Sequence, residues 1–421
     1  MGLSAVVQKV AEPDSWQAAA AQPPPGPTGT VTLADALSFA LRHNPDLMAQ
    51  AWGVQAAEAL KQQAGLRGNP EIEVEFENFA GENDFRRFES AEVTVALSQT
   101  INLAGVRGKR KQLASREVEL ASWELEIARL DLVAEVSQRF LEVQAAQERL
   151  ILAEEVVQLY AATLTAVSER VAAGKAAPPE KTRAQISLAS VRIQLERTRR
   201  DLATARHYLA STWGNPAPNF TTVTGDFYAV TPPADADLAI LVAQSPDLGQ
   251  QARILEIHQA AVNLERAHRI PELTLSGGTR RFSESGETAY VMGVSVPLPL
   301  FDRNQGTVRA AQSKRAAAVS RQWATEANVR ASLVSSQNML SASYFAVQEL
   351  KQTILPGAEQ TYDAVLEGYR HGKYSYLSVL DAQGTLFEAR SEYIDAFEDY
   401  HTTRVELERL IGAGSQASTG G

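Results

Sequence analysis

Four carboxylates are the first residues that could do chemistry. Glu71, Glu73, Glu75 and Glu77 alternate with Ile72, Val74 and Phe76. A period of two places the acids on one face of a strand and the apolar side chains on the other. Such a column attracts cations, but it brings no nucleophile and no paired acid and base. The other reactive residue types are scattered. His43, His207, His258, His268, His371 and His401 are dispersed, and His258 and His268 stand off ligand spacing on a helical pattern. No HExxH, phosphate-binding loop, GxSxG or dinucleotide fingerprint occurs. The chain has no Cys, which excludes disulfides, thiol catalysis and Cys-ligated zinc or iron–sulfur. The sequence therefore predicts a non-enzyme, with no catalytic residue, no cofactor and no metal site. Its 40 Lys+Arg against 50 Asp+Glu leave a net charge of −10, so no nucleic-acid partner is expected.

The elements that position the acids repeat. Asn44-Pro45-Asp46-Leu47 returns as Ser245-Pro246-Asp247-Leu248, and Asn69-Pro70-Glu71 as Ile270-Pro271-Glu272, both at an offset of 201. Further on, Gly108 matches Gly306, Ala173-Gly174-Lys175 matches His371-Gly372-Lys373, and Trp213-Gly214 matches Ile411-Gly412, all at 198. Matches in order at only two offsets predict a duplication. Residues 32–214 form repeat 1 and 234–412 repeat 2, with a Pro-rich linker at 215–233. Residues 1–30 read as a disordered N-terminal segment with no intact signal peptide, and 413–421 as a flexible tail.

Each repeat predicts a helix, a β-hairpin, a long helix and a shorter helix. Thr32 is the expected N-cap of the opening helix. Hairpin strands are expected at about 70–78 and 91–101 in repeat 1, and at about 271–281 and 289–299 in repeat 2, from their alternation. Between Gly108 and Gly174 there is no Pro or Gly, a stretch that would make roughly 100 Å of helix. Val136, Val143, Leu150, Val157, Leu164 and Val171 recur every seven residues in it, a coiled-coil register. Tip turns are expected at 174–179 and 372–376, where Gly174 and Gly372 suit left-handed caps and Lys175 and Lys373 face the negative helix ends. No run of 18 consecutive apolar residues occurs, so no transmembrane helix is expected.

Strands with one apolar and one polar face, flanked by helices, would leave open edges, and closing a barrel removes them. Four strands are too few to close one. Three chains would supply twelve and leave room for a water-filled lumen, which Glu71, Glu73, Glu75 and Glu77 would line.

At this point the sequence resembles the TolC-like outer-membrane factor family over residues 32–412. The resemblance rests on the duplicated unit, on the Asn-Pro-Asp-Leu and Ser-Pro-Asp-Leu openings, and on Gly368-Tyr369-Arg370-His371-Gly372-Lys373-Tyr374-Ser375-Tyr376-Leu377-Ser378-Val379-Leu380-Asp381-Ala382-Gln383. Two stretches, 69–78 and 296–306, resemble the branch serving cobalt–zinc–cadmium exporters. The family implies a mainly α fold of mixed class: a homotrimer with a twelve-stranded barrel in the outer membrane of a Gram-negative bacterium, continued by a helical barrel in the periplasm. It implies a passive efflux duct fed by a periplasmic adaptor and an inner-membrane pump of the RND type, with outer-membrane lipid as a further partner. The tips Gly174, Lys175, Gly372 and Lys373 would dock the adaptor. Glu180, Arg183, Tyr369, Ser378 and Asp381 would form a periplasmic gate. Many relatives carry a lipid-modified N-terminal Cys, a residue absent here. Ducts for drugs or for type I protein secretion share this fold, and a periplasmic coiled-coil scaffold would fit the heptads but not the strands.

Overall fold

The computed structural model describes residues 26–215, 217–234 and 237–413. Most of the N-terminal segment read as disordered, and the tail from 414, lie outside the described residues. In chain order the elements are β1 (Gly29–Thr32), α1 (Leu33–His43), α2 (Pro45–Ala64), β2 (Glu71–Glu77), β3 (Glu92–Ile101), α3 (Val106–Ala172), α4 (Pro178–Ser211), β4 (Phe220–Thr224), α5 (Leu238–Gln244), α6 (Pro246–Ala267), β5 (Leu273–Phe282), β6 (Thr288–Ser295), α7 (Gln305–Glu349), α8 (Leu355–Arg370) and α9 (Tyr376–Leu410).

Thr32 caps α1 as its sequence suggests. Its Oγ1 accepts from the Asp35 N–H at 3.2 Å, and the Asp35 carboxylate accepts from the Thr32 N–H at 3.1 Å. This is a reciprocal capping box. The single opening helix expected from the pattern is, however, two helices. Pro45 has no N–H and disfavours helical backbone at the residue before it. Asn44 is accordingly extended, and its Oδ1 caps α2 by accepting from the Leu47 N–H at 2.7 Å. Pro246 imposes the same break at Ser245, between α5 and α6.

The chain forms two compact units. The first takes Met1–Gln50, Glu126–Asp247 and Glu326–Gly421, the second Ala51–Leu125 and Leu248–Thr325. In the first unit the heptad valines Val136 and Val143 are fully buried, as is Val167 three residues on from Leu164 in the register. Ala145, Leu152 and Val156 of α3 pack with Val347, Phe397 and Phe227. The segment 215–233, read as a linker, carries β4, which pairs in parallel with β1. Trp213, fully buried, meets Phe39 and Phe220 edge-on at 5.8 and 6.1 Å between centroids. Ahead of α8 the helix widens into a π turn at Leu350–Ile354. Pro356 withholds an N–H and crowds the preceding turn, so the ladder skips a register there. α3 contains an 18-residue window apolar enough to cross a membrane by length and composition. Core helices of soluble proteins pass the same test, and this window leaves the expectation of no membrane-crossing helix in place.

The second unit holds a four-stranded antiparallel sheet in the order β2-β3-β5-β6. The β3–β5 pairing joins the two hairpins into one sheet, from Glu92↔Phe282 to Ile101↔Leu273. β6 stops at Ser295, short of the expected 299, because Pro297 and Pro299 cannot donate to a ladder. Beside the sheet Val106, Leu264 and Ala267 form a small core with Leu113.

Candidate functional site

Two places carry the candidate residues, one in each unit. In the first unit, α3 and α8 end alike. Gly174 has φ +65° and Gly372 φ +79°, a left-handed backbone that side chains resist. The Gly174 N–H donates to Val171 O at 3.1 Å and the Lys175 N–H to Arg170 O at 2.8 Å. The Gly372 N–H donates to Tyr369 O at 2.9 Å and the Lys373 N–H to Gly368 O at 2.7 Å. Both ends are therefore Schellman motifs, which satisfy the last helix carbonyls. All four tip residues are exposed.

Arg170 ties the two ends together, though in sequence it is only a base in the last turn of a helix. Its Nη1 donates to Tyr369 O at 2.6 Å and to Arg370 O at 3.1 Å, carbonyls at the end of α8. Its guanidinium carbon stands 4.5 Å above the Tyr369 ring. Tyr369 is 2% exposed, and its hydroxyl donates to Glu180 Oε2 at 3.3 Å. Burial, then the neighbouring Glu180 charge, push the Tyr369 phenol above its ordinary value. Tyr369 packs with Val167, Ala184, Tyr376 and Val379.

Of the five expected gate residues the structure joins Glu180 to Tyr369. Ser378 belongs to the cap of α9, its N–H donating to Ser375 Oγ at 3.2 Å. Arg183 and Asp381 are exposed and form no ion pair among the described residues. A turn above, Gln383 is fully buried and donates through Nε2 to Thr163 Oγ1 at 2.8 Å, linking α9 to α3. That contact is non-local and had no signature in the chain.

In the second unit the strand register sorts the sheet by face. Glu71, Glu73, Glu75 and Glu77 share a face with Glu92, Thr94, Ala96, Ser98, Ser276, Gly278 and Arg280. Arg280 bridges Glu77 at 2.8 Å and Glu92 at 3.0 Å, and its Nε donates to Thr94 at 2.9 Å. Glu71, Glu73 and Glu75 are exposed without an ion pair among the described residues. The opposite face holds Ile72, Val74, Phe76, Val95, Leu97, Leu275, Tyr290, Met292 and Val294, all exposed, with Met292 93% so. An apolar face of this extent on a soluble sheet would be covered. Among the described residues no group of three or more His, Asp or Glu could hold a metal ion.

A strongly amphipathic sheet with paired, Gly-ended helical hairpins defines a class, and comparison with known proteins specifies it. The structure of the outer-membrane channel OprN superposes with a TM-score of 0.78, covering 95% of this chain and 96% of that one at 19% identity. The outer membrane efflux protein family model matches residues 36–215 and 239–413, and the chain belongs to that family. It is 35% identical to the cobalt-zinc-cadmium resistance protein CzcC of Cupriavidus metallidurans, over 91% of this chain and 90% of that one. It is 28% identical to the nickel-cobalt-cadmium resistance protein NccC of Alcaligenes xylosoxydans xylosoxydans, over 70% and 68%.

Proposed function

We propose that this outer-membrane efflux protein is one subunit of a homotrimeric passive duct that carries divalent heavy-metal cations out of the cell. The exposed apolar face of the sheet, backed by a face rich in carboxylates, is the observation that carries it. With β2 and β6 unpaired at the two edges, three copies close a twelve-stranded barrel, apolar toward lipid and acidic toward the lumen. Residues 32–214 and 234–412 are duplicates, each giving one hairpin to the barrel and one helical hairpin to the periplasmic part. The likeness to metal resistance proteins supports a cation as cargo, and the column Glu71, Glu73, Glu75 suits its charge. A periplasmic adaptor and an inner-membrane RND pump supply the cargo and the energy.

Glu180, Arg183, Tyr369, Ser378 and Asp381 form the closed constriction. The exposed Arg183 and Asp381 are free to meet groups of neighbouring subunits, while Tyr369 and Glu180 brace the wall behind them. The tips Gly174, Lys175, Gly372 and Lys373 take the adaptor. Valine at Gly174 or Gly372 forces a β-branched residue into left-handed backbone, at a local cost of about 1–2 kcal/mol. Each variant is expected to assemble normally yet lose metal export, read as a growth defect at elevated zinc. Full resistance in both would remove the tips from the docking role.

The oligomer is tested by mass measurement on detergent-purified protein. Three times the 45.7 kDa chain mass is expected, and only in detergent. A stable monomer without detergent would overturn the duct and favour a scaffold.

A further inference from the structure

The two rims of the sheet differ in charge. Where the strands join α2, α3, α6 and α7, residues 65–72, 102–111, 265–272 and 296–309 hold nine Lys and Arg against four Asp and Glu. The loop rim, residues 78–91 and 283–287, holds two against five. At the helix rim three of the four acids are engaged within the chain, and the fourth, Glu71, is exposed without an ion pair among the described residues. Glu265 accepts from Asn304 Nδ2 at 2.7 Å, Asp302 accepts from the Asn304 N–H at 2.9 Å, Glu272 accepts from Asn102, and Glu71 belongs to the acidic face of β2. The bases are not. Arg67, Arg107, Arg110, Lys111, Arg269 and Arg309 are exposed and have no ion pair among the described residues.

The placement of these bases runs against local physics. α3 and α7 begin at this rim, and neither has an acid in its first turn. A helix N-terminus carries positive partial charge and disfavours cations. Arg107, Lys109, Arg110 and Lys111 open α3 nevertheless. A local rule broken with no compensating acid among the described residues points to a contact supplied from outside.

Apolar surface runs into this collar. The outward alternation of Tyr290, Met292 and Val294 continues beyond β6 through Val296, Leu298 and Leu300, all exposed. Arg269, Ile270, Leu298 and Phe301 line one cleft of about 600 Å³, together with His268 and with Glu272 and Asp302, whose carboxylates accept from Asn102 and from the Asn304 N–H. Phe301 is 90% exposed. A cation beside an apolar trough is the shape of a lipid seat.

We propose that this collar binds anionic phospholipid, with the phosphate on Arg269 and its neighbouring bases and an acyl chain along Leu298 and Phe301. The proposal rests on the reading of the sheet as membrane-spanning and assigns its helix rim to the headgroup layer of one leaflet. The acidic loop rim repels the same headgroup, so the two rims together fix which way the sheet crosses.

Native mass spectrometry of the full-length protein, released from detergent with added phosphatidylglycerol or phosphatidylcholine of equal chain length, tests this. The parent is expected to retain phosphatidylglycerol in preference. Each base near an anionic lipid surface strengthens binding roughly five-fold, so Arg107→Gln with Arg269→Gln should weaken phosphatidylglycerol retention about 25-fold. Phosphatidylcholine retention and subunit assembly should not change, and excess inorganic phosphate should not displace the lipid. Equal retention of both lipids by the parent, an unchanged preference in the double variant, or displacement by phosphate would overturn the site while leaving the membrane-spanning sheet intact. A protein that needs no detergent and takes neither lipid would overturn both.

Discussion

Arginine in place of Met292 is expected to keep the chain out of the outer membrane. Met292 sits in the middle of β6, on the apolar face, and is 93% exposed. A charged side chain on the lipid face of a barrel costs about 2–4 kcal/mol near the bilayer midplane. In a trimer that cost falls three times on one barrel. The assembled, detergent-resistant species in the outer-membrane fraction should all but disappear. Glu75→Lys makes the control, because Glu75 belongs to the opposite face, across from Thr94. It reverses a charge without placing one in lipid, and should assemble like the parent. Equal loss in both variants would mean that the sheet tolerates no change on either face, and equal assembly in both that neither face meets lipid.

Alanine in place of Trp213 is expected to cost the first unit about 3–5 kcal/mol, the range for truncating a buried large aromatic. Trp213 is fully buried at the end of α4, where its ring meets Phe39 of α1 and Phe220 of β4. The β1–β4 pair has only four register pairs, too few to hold without this packing. Trp213→Phe keeps an aromatic wedge and should recover most of the loss. Denaturant midpoints of the three purified proteins check the order parent, Trp213→Phe, Trp213→Ala. An alanine variant as stable as the parent would show that the cavity collapses without loss.

What was legible in the sequence was local. The Thr32 cap depends on Asp35, three residues on, and the alternation from Glu71 to Glu77 depends only on a period of two. The valines seven apart in α3 announced a packed helix, and Val136 and Val143 are fully buried. The features that escaped are contacts between distant parts of the chain. Phe220–Thr224 looked like linker because its partner strand lies some 190 residues earlier, at Gly29–Thr32. Arg170 looked like any base near a helix end, though it binds the carbonyls of Tyr369 and Arg370 about 200 residues away. Gln383 and Thr163 carry no pattern that would pair them. Proline effects were legible in kind but not in extent. Pro45 and Pro246 divided helices read as single, and ahead of Pro356 the helix widens into a π turn. In the proposed gate the Glu180–Tyr369 contact lies within one chain, whereas the proposal takes partners for Arg183 and Asp381 from neighbouring subunits.

Growth of a deletion strain on a panel of metals and drugs decides whether the duct carries heavy-metal cations. Loss of the gene should sensitise cells to divalent ions such as cobalt, zinc and cadmium, the intact gene should restore tolerance, and organic toxicants should act equally on both strains. Sensitisation to organic toxicants with unchanged metal tolerance would contradict a heavy-metal cargo.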